Sequence, residues 1–155
     1  MNGAHAHLLL NHIPLIAIPV VVVFLLYAVA KRDEPTQRFA IKMLLVALLT
    51  CIAVFVTGEP AEDVVEGLTG INDKAIHAHE EAGEVALYFS LVSAALAAIL
   101  LKARNHPKYK AMTQLLVALS LFTVGALGYA SYLGGKIHHP EFEMKASVPE
   151  RQDQE

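Results

Sequence analysis

The sequence predicts an all-α fold, a four-helix transmembrane bundle with both termini on the periplasmic side, and three observations carry that prediction. First, 55% of the 155 residues are hydrophobic and the mean hydropathy is +0.46, more apolar surface than a soluble domain of this size can bury. Second, four runs, 8–30, 39–57, 82–101 and 111–133, are almost free of charge inside and match the roughly 20 apolar residues that a spanning helix needs. Third, eight of the twelve Lys and Arg residues lie in or beside the two connectors that must share one membrane face. The positive-inside rule makes that face cytoplasmic.

Taken in order, the N-terminal segment 1–12 carries His5, His7 and His12 before the first apolar run begins in earnest. That run lacks a basic leader and a small-residue cleavage site and is long enough to cross, so it reads as a retained span. Pro14 is expected in a first helical turn, where its missing N–H costs nothing, and Pro19 is expected to kink the helix near Leu15. A basic connector follows with Lys31, Arg32 and Arg38, and Lys42 just inside the second span. Cys51 in that span is the only cysteine, so there is no disulfide framework and no Cys-x-x-Cys-His attachment for a c-type haem.

Thr57-Gly58-Glu59-Pro60 reads as a helix stop by glycine and proline logic. Residues 61–66 look like a short acidic amphipathic helix at the surface, with Glu59, Glu62 and Asp63 either hydrated or supplying oxygen ligands. Gly67 and Gly70 then turn the chain toward 76–84, Ile-His-Ala-His-Glu-Glu-Ala-Gly-Glu. On a helix His77, Glu80, Glu81 and Glu84 share one face, and His79 and Gly83 form a neighbouring stripe. Carboxylates also suit the positive end of a helix dipole without any further role. The second basic connector holds Lys102, Arg104, Lys108 and Lys110. The fourth span carries Gly125, Gly128, Gly134 and Gly135, with Tyr129 and Tyr132 at headgroup level. These glycines permit close helix approach or leave room for a flat macrocycle. The domain is expected to occupy 1–140, and 141–155 form a polar, disordered tail.

This topology sorts the histidines. Only His106 falls at the cytoplasmic end, whereas His5, His7, His12, His77, His79, His138 and His139 gather at the other, with thirteen of the fifteen carboxylates. That asymmetry is the main functional signal.

The Leu10-Asn11-His12-Ile13-Pro14-Leu15 opening, Thr57-Gly58, a histidine before the third span and Leu133-Gly134-Gly135 together resemble an uncharacterised four-helix bacterial membrane family, a domain of unknown function. The resemblance covers about 8–140. It implies a multi-pass protein of the bacterial inner membrane, in a family some of whose members are joined to Rieske-type or cytochrome-like redox modules. The chain departs from the family pattern at Tyr132, where a histidine often precedes Leu-Gly-Gly, which leaves His138 as the candidate ligand near the fourth span.

Two functional readings follow. In the first the chain is a b-type cytochrome-like electron-transfer protein, with haem b held by His12 and His79 as axial pair and His77, His7 and His138 as further ligands or supporting groups. In the second, a non-haem copper, zinc or iron site is built from His12, His77, His79, His138, Glu80 and Glu84. A structural subunit of a membrane redox complex is the third possibility. Membrane lipid, a periplasmic or membrane redox partner and self-association are the expected interactions. A net charge of −3 gives no nucleic-acid footprint, and there is no Gly-x-Ser-x-Gly elbow or phosphate loop. An electron-transfer subunit therefore fits better than a stand-alone catalyst.

Overall fold

A computed structural model of the chain describes residues 3–65 and 73–138. Its elements are α1 (Gly3–Lys31), α2 (Glu34–Val56), α3 (Gly58–Val65), α4 (Asp73–Lys102) and α5 (Tyr109–His138). Four of the helical segments are long and apolar enough to cross a membrane, and the fold is an all-helical multi-pass bundle. The expected tail 141–155 and the Gly67–Gly70 turn lie outside the described residues.

The bundle is held by stripes of small and branched apolar side chains. Ile18, Val22 and Leu25 of α1 recur at the i, i+4, i+7 spacing of one helical face. They meet Ile41, Leu44 and Leu48 of α2, Ala94, Ala97 and Leu100 of α4, and Leu116 of α5 in one core. Helix α4 packs most extensively on α5 and α1 on α2; α2 joins the two pairs and α1 closes against α5. The opposite faces are as apolar as the core: Val23, Phe24, Phe39, Tyr88 and Phe122 are all exposed. Only 22–33% of each span's most apolar window is buried by protein. Surface of this kind has lipid as its solvent.

Hydroxyls in the bundle centre are satisfied locally. Ser90 Oγ donates to Leu48 O at 2.9 Å and Ser120 Oγ to Leu116 O at 2.7 Å. Ser93 and Thr123 approach at 3.4 Å across α4 and α5. The Ser90 and Ser93 contacts tie α4 to α2 and to α5, where hydrophobic driving force between spans is weak, and the Ser120 bond stays within α5.

Three local details differ from expectation. Helix α1 begins at Gly3, so Pro14 lies deep in the helix and is buried rather than sitting in a first turn. Pro14 and Pro19 free the carbonyls of Leu10 and Leu15 without ending the helix, a cost that membrane helices tolerate. At the second span's end the break falls at Thr57, whose backbone stays right-handed at φ −88° and ψ −3°. Gly58 opens α3 directly and Pro60 sits in its first turn, so no left-handed glycine cap forms there. The left-handed cap occurs instead at Arg32, with φ 56°. Its N–H donates to Val29 O at 3.2 Å and that of Asp33 to Ala28 O at 3.0 Å, the bond pair of a Schellman turn. Asp33 then caps α2 through the Thr36 N–H.

Candidate metal centre

The inner stripe of α1 that runs through Leu25, Val22, Ile18 and Pro14 continues backward to Asn11 and His7 at the same spacing. On α4 the inner stripe of Ser93, Ser90, Ala86 and Ala82 continues backward to His79. The fold therefore aims His7 and His79 at one another. Their ring centroids are 6.2 Å apart and their planes stand at 88°.

Each ring is fixed through the same nitrogen. His79 Nδ1 lies 2.8 Å from Ala130 O of α5, and His7 Nδ1 lies 3.1 Å from Val54 O and 3.2 Å from Thr57 Oγ1. A carbonyl only accepts, so Nδ1 carries the proton in both rings and Nε2 keeps its lone pair. This is the tautomer of a metal-bound histidine whose orientation is set by a backbone carbonyl. Two imidazoles on opposite sides of one metal, about 2.0 Å from each Nε2, have centroids about 6 Å apart, close to the separation of this pair.

The surroundings of the pair are small. Ala78, Ala82, Ala130 and Leu133 form a cluster beside His79. A Cβ added to Gly134 would come within 3.0 Å of His79 Cε1 and 3.2 Å of its Nδ1, so a glycine is what lets this imidazole lie against α5. Gly125, Gly128 and Gly135 would meet nothing within 4 Å. Those glycines face away from the bundle interior, and the only fourth-span glycine that serves the histidines is Gly134. Asn11 Oδ1, one turn along α1 from His7, is buried without a hydrogen-bond partner among the described residues. It offers an acceptor toward the interior.

The structure sends the other predicted residues elsewhere. His12 is exposed, and its Nδ1 bonds to Leu8 O of its own helix at 2.6 Å; five residues from His7, it projects from a different face of α1, and it is His7 that stands opposite His79. His77, Glu80 and Glu84 are exposed on the outer face of α4. His77 Nδ1 is 3.7 Å from Glu80 Oε2, and Glu62 of α3 joins them, the three ligand atoms all within 4.8 Å of one another. Glu84 is outside this group, and the side chain of His138, the last residue of α5, lies outside the described residues. Of the three acidic residues Glu59, Glu62 and Asp63 that could supply oxygen ligands, it is Glu62 that α3 brings to His77 and Glu80.

No curated protein and no solved structure matches the chain. The model of an uncharacterised family described as "Predicted membrane protein (DUF2231)" matches residues 3–140, the whole of the helical bundle, and the chain belongs to that family.

Proposed function

We propose that the protein is a b-type cytochrome-like electron carrier, with haem iron held between His7 and His79 at the histidine-rich end of the bundle. One observation carries the reading: two imidazoles on different spans face each other at 6.2 Å, each with its Nδ1 committed to a carbonyl of a third or fourth helix. Haem would supply one-electron exchange. His7 and His79 would hold the iron through their Nε2 atoms, Val54 and Ala130 would hold the rings in the ligating tautomer, and Gly134 would let the His79 ring lie against α5. By the positive-inside rule the basic connectors favour a periplasmic position for this end, which would put it within reach of a soluble or membrane redox partner. A reduced-minus-oxidised visible spectrum of the purified protein tests it. A sharp pair of α and β bands, lost in His7→Ala and in His79→Ala and kept in His12→Ala, is expected. A colourless protein, or bands that survive loss of His7, would sink it.

A second reading is favoured by the separate group of Glu62, His77 and Glu80, whose mixed nitrogen and oxygen donors suit zinc or iron. On that reading, metal analysis of the same sample finds a stoichiometric ion that His77→Ala removes.

A further inference from the structure

The far end of the bundle, where the two basic connectors lie, holds a cleft of about 230 Å³ lined by Glu34, Gln37, Arg38, Arg104, Asn105 and Tyr109. We propose that it receives the phosphate of an anionic lipid headgroup.

The cleft has donors in excess of acceptors. Glu34 is its one carboxylate and is already engaged, accepting from Arg104 Nη2 at 3.2 Å. Gln37 Nε2 donates to Tyr109 OH and to Thr113 Oγ1, both at 3.4 Å, which leaves the Tyr109 proton free to point outward. Arg38 is half-buried, and its guanidinium makes no hydrogen bond or ion pair with the described residues. A partly desolvated guanidinium calls for an acceptor, and its planar fork matches two oxygens of one phosphate. Two arginines against one carboxylate give the cleft a net positive charge.

The source of that phosphate follows from position. Immediately beyond Arg38, Phe39, Met43 and Val46 are exposed at i, i+4, i+7 along α2, an apolar track along which acyl chains can lie while the headgroup rests in the cleft. Basic clefts between spans at a charged membrane face are where anionic headgroups bind.

The test is native mass spectrometry of the full chain in detergent supplemented with phosphatidylglycerol or phosphatidylcholine. Phosphatidylglycerol adducts should predominate, fall at least several-fold in Arg38→Gln, fall in Arg38→Lys because the fork is lost, and persist in Lys110→Gln, which removes the same charge outside the cleft. Inorganic phosphate at millimolar concentration should displace the lipid. Equal adducts in all variants, equal retention of the two lipids, or binding of inorganic phosphate with no lipid retained would overturn the proposal.

Discussion

Gly134 and His79 are a fitted pair: the imidazole occupies the space in which a Cβ at 134 would stand, 3.0 Å from its Cε1, and it uses that position to reach Ala130 O at 2.8 Å. The backbone of α5 cannot retreat without disturbing its packing on α4. Gly134→Ala therefore requires the ring to give by a few tenths of an ångström, away from the position in which it reaches the carbonyl.

The consequence is a matched comparison. Gly128→Ala adds the same methyl where nothing lies within 4 Å, so it should gain roughly 0.5–1 kcal/mol from helix propensity alone. Gly134→Ala should instead lose about 1–3 kcal/mol through overpacking and weaken any ligand held by His79. Unfolding in detergent of the two variants, side by side, measures the difference in sign. Stabilisation by both would show that His79 moves freely.

Histidine substitutions should separate the two faces of α1. His7→Ala removes the interior ring and leaves His79 facing a void, whereas His12→Ala removes an exposed ring bonded only to its own helix. The expected outcome is loss of bound haem or metal in the first and full retention in the second, read from absorbance and metal content. Retention in the first with loss in the second would restore His12 as the ligand.

The four spans were legible in the sequence because, in lipid, a helix is the way a long apolar segment satisfies its polar backbone, and the end-to-end sorting of histidines followed from the basic connectors. The face on which each histidine sits was harder. His12 is the one histidine inside a first span counted from residue 8, whereas α1 begins at Gly3 and takes in His7 as well. Running the core spacing of Leu25, Val22 and Ile18 backward through Pro14 would have landed on Asn11 and His7. Partners from other helices, Val54 for His7 and Ala130 for His79, carry no signature at all, because a backbone carbonyl is the same at every residue. The role of Gly134 was hidden for the same reason: Gly125, Gly128 and Gly135 look identical to it along the chain.

Helix α3 is seated on α1 by a glycine. A Cβ on Gly3 would collide with the backbone carbonyl of Pro60, which has no freedom to yield. Gly3→Ala should lift α3 from the end of the bundle and separate Glu62 from His77 and Glu80. Faster protease cleavage near residue 62, with the spans intact, is the expected result, and wild-type cleavage would count against it.

At the opposite end, pH probes the turn between the first two spans. Hydrogen bonds from the Thr36 hydroxyl, 2.6 Å from Oδ2, and then from the Thr36 N–H hold the Asp33 carboxyl below its usual range. A carboxyl with a lowered folded pKa stabilises the fold above its unfolded value of about 3.9, and that contribution fades as pH falls through the folded value. Asp33→Asn keeps a competent helix cap but has no charge to lose. The difference in unfolding midpoint between wild type and Asp33→Asn should therefore be constant at neutral pH and shrink only below about pH 4. A difference that stays constant well below about pH 4 would show that the Asp33 charge adds nothing to the cap.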